Sequence, residues 1–113
     1  FWTAGFDIIY ACQDHDFDCR EGLYSIPARL GIARALWVSR AFHVLTLGCL
    51  AMTSAAFALS YWPLLPVAAL LAWEHSLVRP GDLSKVNVAF FTVNGFIGLG
   101  YFAAMAFEVL RHV

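Results

Sequence analysis

Four aspartates near the start of the chain, Asp7, Asp14, Asp16 and Asp18, are the side chains best suited to chemistry. In a helix, Asp14 and Asp18 are one turn apart, and Asp7 precedes Asp14 by two turns on the same face. Asp16 points elsewhere. Like charges at this spacing destabilise a helix, and the repulsion strengthens where water is excluded near a membrane. The spacing therefore predicts a positively charged partner for these carboxylates.

A hard divalent cation is the partner that the carboxylate stripe favours. Mg²⁺ prefers oxygen ligands and is usually held by one or two carboxylates together with substrate phosphates. Arg20 and Arg29 follow closely, and their planar guanidinium groups suit phosphate oxygens. We therefore predict that the acidic helix face formed by Asp7, Asp14 and Asp18 binds Mg²⁺ bridged to a diphosphate. The alternative, a solvated loop kept out of the lipid, explains the polarity of the segment but not its spacing.

The remainder of the chain is apolar enough to lie in a lipid bilayer. It is 61% hydrophobic and 13% charged, whereas a soluble domain carries about 25% charged residues. Residues 41–73 and 86–107 contain no Asp, Glu, Lys or Arg, and a spanning helix needs about 20 apolar residues. The second stretch fits one span, and the first fits two that fold back at residues 60–63. No basic patch indicates binding to nucleic acid.

The sequence predicts an all-α fold, a multi-pass transmembrane bundle of which this chain supplies about four helices. The first helix runs from residue 1 to about Asp18, and Gly22, Pro27 and Gly31 break the pattern after it. The later helices are predicted at residues 32–59, 62–78 and 83–110, with Asp82 capping the last. Because the chain is apolar from its first residue, we expect it to begin inside a transmembrane helix and to be part of a longer protein.

The basic residues predict the orientation of the helices. Four basic residues precede or enter the second helix, and two more lie in the loop before the last helix. All six are predicted on the same side of the membrane: Arg20, Arg29, Arg34, Arg40, Arg79 and Lys85. The opposite side has the uncharged turn at residues 60–63 and Arg111. By the positive-inside rule, both polar loops face the cytoplasm. We therefore expect a protein of the cell (inner) membrane with its Asp-rich loop on the cytoplasmic side.

Three segments resemble the UbiA family of membrane aromatic prenyltransferases. Residues 7–18 look like the second aspartate-rich motif of that family, D-x-x-x-D, and residues 22–31 resemble the segment that follows it. Residues 89–95 are similar to the region that leads into the last helix. The resemblance implies that residues 1–113 are the C-terminal part of one transmembrane prenyltransferase domain in a roughly nine-helix protein. The N-terminal half of the same protein would complete the site, so we expect the chain alone to be inactive.

The resemblance also implies an activity, transfer of a polyprenyl group from its diphosphate to an aromatic acceptor. The expected acceptor is 4-hydroxybenzoate or a related precursor in ubiquinone or menaquinone biosynthesis, and the expected cofactor is Mg²⁺ at Asp14 and Asp18. Asp7 is a third candidate catalytic residue. One departure is a tyrosine at position 24, where many members carry a lysine. Substrate-binding roles are expected for Tyr10, Arg20, Tyr24, Arg29 and Asn94.

Other classes of protein fit the sequence less well than the enzyme does. A membrane transporter or channel using the Asp stripe as a cation site predicts polar residues throughout the later helices, where they are nearly absent. A non-catalytic scaffold leaves the Asp spacing unexplained, and a soluble isoprenyl synthase would not have uniformly apolar helices. Glu74 and His75 lie near the end of the third helix. We expect them either to belong to a loop that covers the acceptor or to anchor the helix at the membrane interface. His43 is expected to be packed or hydrogen-bonded, and Asn87 and Asn94 to share a helix face.

Overall fold

A computed structural model describes residues 1–112 and shows the all-α fold that the sequence predicts; the last residue of the predicted domain, Val113, lies outside the described residues. Within residues 1–112 the only β-type pairing is an isolated bridge between Arg79 and Asp82. The helices, in chain order, are α1 (Trp2–Ala11), α2 (His15–Glu21), α3 (Ile26–Leu30), α4 (Ile32–Ala56), α5 (Leu64–Leu77) and α6 (Asn94–His112). A 3₁₀ turn (Cys12–Asp14) joins α1 to α2, and a π-helix (Val88–Val93) leads into α6.

Two of these helical stretches are long and apolar enough to cross a membrane, Ile32–Ala56 and Val88–His112, while Leu64–Leu77 is shorter and also apolar. Much of their surface consists of exposed large side chains; Met52, for example, is 73% exposed and Leu99 is 74% exposed. Such surfaces suit lipid or further helices and not water. The predicted multi-pass transmembrane bundle agrees with this arrangement.

The acidic segment is helical, but it is not the single α-helix that we predicted from residue 1 to about Asp18. The 3₁₀ turn (Cys12–Asp14) interrupts it, and α2 then continues to Glu21. Gly22 ends α2 in the left-handed conformation, with φ of 67°, which a residue without Cβ adopts at no steric penalty. The Ser25 hydroxyl accepts a hydrogen bond from the Ala28 amide at 3.2 Å and caps α3. The predicted break after the acidic segment is therefore confirmed.

The two polar loops lie at the same end of the bundle, and the membrane side that they face stays a prediction. One apolar cluster joins α1, α4 and the loop before the π-helix through Ile9, Leu36, Val78 and Val86, all of them almost fully buried. At the other end, the buried carboxylate of Glu108 accepts hydrogen bonds from Trp62 Nε1 at 2.8 Å and from the Ser60 amide at 3.3 Å. Glu108 therefore holds the turn between α4 and α5.

The start of the last helical stretch differs from the prediction. Asp82 does not cap the helix; its Oδ1 accepts hydrogen bonds from the Ser84 hydroxyl at 2.6 Å and the Ser84 amide at 3.0 Å. These bonds close a local turn and hold the pKa of the Asp82 carboxyl below its ordinary value. The π-helix then shifts the register, so Asn87 is exposed while Asn94 is buried. The prediction that these two asparagines share a face is wrong.

Candidate active site

The predicted metal ligands lie where the 3₁₀ turn meets α2. Asp14 occupies the N-cap position of α2, yet its side chain makes no capping hydrogen bond. Asp18 follows one helical turn later and is half-buried, while Asp7 is exposed on α1. The α-helical backbone between Asp14 and Asp18 gives the one-turn separation on which the metal prediction depends.

The carboxylates of this segment are not neutralised by basic side chains. Among residues 1–112, no Lys or Arg nitrogen lies within 4.0 Å of Asp7, Asp14 or Asp18. Within the segment, His15 Nδ1 is hydrogen-bonded to Asp16 Oδ1 at 3.0 Å. The three carboxylates also do not converge into a three-ligand cluster within the described residues. Mg²⁺ in proteins is typically bound by one or two carboxylates, with phosphate and water as its further ligands.

A groove of about 310 Å³ beside α2 brings together three of the predicted site residues, Asp18, Tyr24 and Arg29. The guanidinium carbon of Arg29 lies 4.6 Å from the centroid of the Tyr24 ring, a cation–π arrangement that orients the guanidinium group. Arg20 lies in the last turn of α2 and is exposed, and it does not line the groove. The structure therefore brings one predicted metal ligand together with two predicted phosphate-binding residues.

Tyr10 belongs to a cluster of aromatic side chains that the sequence did not reveal. Its ring centroid lies 4.4 Å from that of Phe90 and 6.3 Å from that of Phe91. Phe6 joins the same cluster, 5.3 Å from Phe90 in an edge-to-face geometry. Because Tyr10 precedes Asp14 by four residues, this aromatic cluster begins about one helical turn from the carboxylates.

Asn94 lies in a buried hydrogen-bond network between helices. Its Nδ2 donates to Glu74 Oε1 at 2.7 Å and to the Ala89 and Phe90 carbonyls at 3.1 Å, and its Oδ1 accepts from Trp2 Nε1 at 2.7 Å. None of the groove-lining residues contacts this amide through a hydrogen bond within residues 1–112. The structure does not bring Asn94 to the groove, and its substrate-binding role stays a prediction.

The same network contains His43, Glu74 and His75, whose grouping the sequence analysis missed. His43 is hydrogen-bonded, as expected, and Glu74 is fully buried instead of lying at an interface. One signal points to this grouping: ionisable residues in apolar helices mark functional sites.

A cavity of about 500 Å³ lies among α1, α4, α5 and α6. Trp2, Leu50, Val67 and Tyr101 contribute to its walls, and no Asp, Glu, Lys or Arg lines it. This cavity can therefore accept an apolar chain but has no group for acid–base or metal chemistry.

Comparison with known proteins reveals one family. The profile of the UbiA prenyltransferase family matches residues 1–100. A 4-hydroxybenzoate octaprenyltransferase of Pseudomonas fluorescens (strain Pf0-1) is 33% identical over 110 residues, which cover 95% of this chain and 36% of that protein. The protein of the same description from Pseudomonas putida (strain F1) is 36% identical over 93 residues, 79% of this chain and 31% of the relative. No solved structure is a significant match. The chain thus spans about a third of the length of these relatives.

Proposed function

Because the chain belongs to the UbiA prenyltransferase family, we propose that the protein containing it transfers a polyprenyl group from its diphosphate to an aromatic acceptor. The relatives' name makes 4-hydroxybenzoate the leading acceptor, and a step of quinone biosynthesis the setting. The observation that carries the proposal is the groove shared by Asp18, Tyr24 and Arg29, one helical turn from Asp14.

The residues at this groove fit a Mg²⁺ ion. Asp14 makes no capping bond, and no Lys or Arg within residues 1–112 pairs with Asp14 or Asp18, so both carboxylates can supply oxygen ligands. When bound, Mg²⁺ would neutralise charge on the departing diphosphate as the allylic C–O bond breaks. Asp14 and Asp18 would hold the ion, and Asp7, on α1 before the 3₁₀ turn, would be a third carboxylate of the site.

The basic and phenolic side chains around α2 would bind the diphosphate. Arg29 offers a forked set of donors for two phosphate oxygens, and its stacking on Tyr24 limits the orientations it can take. The Tyr24 hydroxyl can donate one further hydrogen bond. Arg20, exposed in the last turn of α2, would be a further phosphate ligand. Together these groups hold the leaving group while the prenyl carbon becomes positively charged.

The aromatic cluster would stabilise that positive charge. The faces of aromatic rings attract cations, and Tyr10 with Phe90 presents two such rings within 4.4 Å of each other. The acceptor ring then attacks the allylic carbon, forms the new C–C bond and loses a proton. The apolar surroundings exclude water, which would otherwise capture the cation. The apolar cavity among the helices offers room for part of the prenyl chain.

The proposal also includes the setting of the enzyme. The polar loops at one end would face the cytoplasm from the inner membrane, and the N-terminal half of the same protein would supply the rest of the site. A transporter that conducts cations from the Asp stripe through the bundle is less well supported. The buried polar network is bordered by an apolar cluster of Val67, Leu71, Val93 and Ile97, which no hydrated ion crosses readily.

A transfer assay on the intact protein in membranes tests the proposal, with a labelled polyprenyl diphosphate and 4-hydroxybenzoate. Asp14→Asn and Asp18→Asn remove one charge each without changing side-chain shape, and each should lower kcat by about 100-fold or more. Asp16→Asn is the matched control, since Asp16 is exposed and paired with His15. Equal turnover by all three variants would refute the proposed role of the pair.

A further inference from the structure

Three ligand-type side chains meet in the interior between α4 and α5, away from the aspartate groove. They are His43 on α4 and the adjacent Glu74 and His75 on α5, and their ligand atoms all lie within 4.8 Å of one another. His43 is 2% exposed, Glu74 is 0% exposed and His75 is half-buried. Burial of a carboxylate between two imidazoles requires a compensating charge or donor.

The hydrogen bonds around His43 show what is missing. Its Nε2 lies 3.3 Å from the Trp2 carbonyl oxygen, which can only accept, so Nε2 donates and Nδ1 of the neutral ring carries a lone pair. Nδ1 lies 2.9 Å from His75 Nε2 and 3.4 Å from Glu74 Oε2. Glu74 Oε2 is buried and has no hydrogen-bond partner in the described part of the chain. The lone pairs of His43 Nδ1 and Glu74 Oε2 therefore face the same small space, and His75 can donate a hydrogen bond to only one of them.

We propose that His43 Nδ1, Glu74 Oε2 and His75 Nε2 bind a divalent transition-metal ion of the Zn²⁺ class. Zn–N and Zn–O bonds of about 2.0–2.1 Å put the ligand atoms of a tetrahedral site roughly 3.3–3.4 Å apart. The separations of His43 Nδ1 from His75 Nε2, 2.9 Å, and from Glu74 Oε2, 3.4 Å, lie close to that spacing. The third, between Glu74 and His75, is within 4.8 Å and would shorten when the ion binds. Two imidazoles and one carboxylate favour Zn²⁺ over Mg²⁺, which prefers oxygen ligands. The site is thus chemically distinct from the pair Asp14 and Asp18.

Groups that do not touch the ion already hold its ligands in place. Histidine ligands commonly donate their other N–H to a backbone carbonyl, and carboxylate ligands accept a hydrogen bond on their second oxygen. Here His43 donates to the Trp2 carbonyl, and Glu74 Oε1 accepts from Asn94 Nδ2 at 2.7 Å. Gly5 completes the support, because a Cβ at that position would overlap the His43 ring.

The bound ion would connect four helical elements of the bundle. It would join α4 to α5 directly, and α1 and α6 indirectly, because Asn94 bonds both Glu74 and Trp2. Three protein ligands leave a fourth position open, and His75 is only half-buried. The competing arrangement is one further proton, either on His43, which makes an imidazolium–carboxylate pair with Glu74, or on the Glu74 carboxyl, which then donates to His43 Nδ1; neither needs a metal.

Cobalt titration of the intact protein, purified in detergent and stripped with a chelator, separates these two arrangements. We expect one equivalent of Co²⁺ to bind with the visible absorption of a four-coordinate nitrogen–oxygen site, and Zn²⁺ to displace it. Glu74→Gln and His75→Asn should each weaken binding by about 100-fold or more, since loss of a supporting group alone costs roughly 10–100-fold. His112→Gln, a histidine at the end of α6, should bind as the wild type does.

Two further measurements make each outcome decisive. Glu74→Gln keeps the shape of the side chain, and its new amide can donate to His43 Nδ1, so the metal-free variant should melt no lower than the metal-free wild type. The pair Asp14→Asn and Asp18→Asn should lose prenyl transfer but keep cobalt binding, which separates this site from the proposed magnesium site. Absence of saturable Co²⁺ and Zn²⁺ binding, or binding unchanged by Glu74→Gln, would overturn the proposal.

Discussion

Gly5→Ala is expected to destabilise the protein although it places a better helix former in α1. The added Cβ would overlap Nε2 and Cδ2 of the His43 ring, so the ring must move. Overpacking of this kind costs about 1–3 kcal/mol, and the hydrogen bond from His43 to the Trp2 carbonyl contributes about 1 kcal/mol more when broken. Alanine regains about 1 kcal/mol of helix propensity. The net loss is therefore about 1–3 kcal/mol.

Gly48→Ala is the matched control for this substitution. Gly48 lies within α4, and a Cβ there meets no atom within 4 Å in the described residues, so only the gain in helix propensity remains. Thermal unfolding of the intact protein in detergent measures both variants side by side. The reasoning is wrong if Gly5→Ala melts at or above the temperature of Gly48→Ala, because the His43 ring would then tolerate a methyl group.

Three further substitutions test separate parts of the structure. Asn94→Ala leaves an indole N–H and a buried carboxylate oxygen without their partners, so the free energy of unfolding should fall by about 2–4 kcal/mol in denaturant titrations, and an unchanged midpoint would contradict the network. The lowered pKa of Asp82 means that its turn is stabilised above the unfolded-state pKa and weakened as pH falls through the folded-state pKa. Hydrogen-exchange protection of the Ser84 amide should follow that fall, whereas Asp82→Asn should remove the pH dependence. Arg29→Lys loses the forked donor set and should raise KM for the prenyl diphosphate roughly tenfold in the transfer assay, while the exposed control Arg34→Lys should not.

The helices could be predicted because apolar length and charge placement dictate them. The charge-free stretches at residues 41–73 and 86–107 contain most of α4, α5 and α6, and the glycine at position 22 ends α2 as its freedom at positive φ suggests. The 3₁₀ turn and the π-helix could not be predicted, because i+3, i+4 and i+5 hydrogen bonds differ little in local energy and packing decides among them. The π-helix between Asn87 and Asn94 rotates Asn87 away from the helix face that carries Asn94.

The site could be predicted only where its residues are close in sequence. Asp14 and Asp18 lie one turn apart by helix geometry alone, and Arg29 reaches the same groove because Gly22 reverses the chain. His43 and Glu74 are far apart in sequence, and their meeting depends on the register of α4 against α5. Helices with little amphipathic pattern do not specify that register, since their apolar residues face all directions.

Calorimetric titration of the intact protein with a non-reactive prenyl diphosphate analogue is the direct test of the claim that Asp14 and Asp18 hold Mg²⁺ against a diphosphate. We predict saturable binding that requires Mg²⁺ and weakens by about tenfold or more, or 1.4 kcal/mol or more, in Asp14→Asn and in Asp18→Asn, with Asp16→Asn unchanged. Binding that is indifferent to Mg²⁺, or that Asp16→Asn weakens as much as the other two, would contradict the claim.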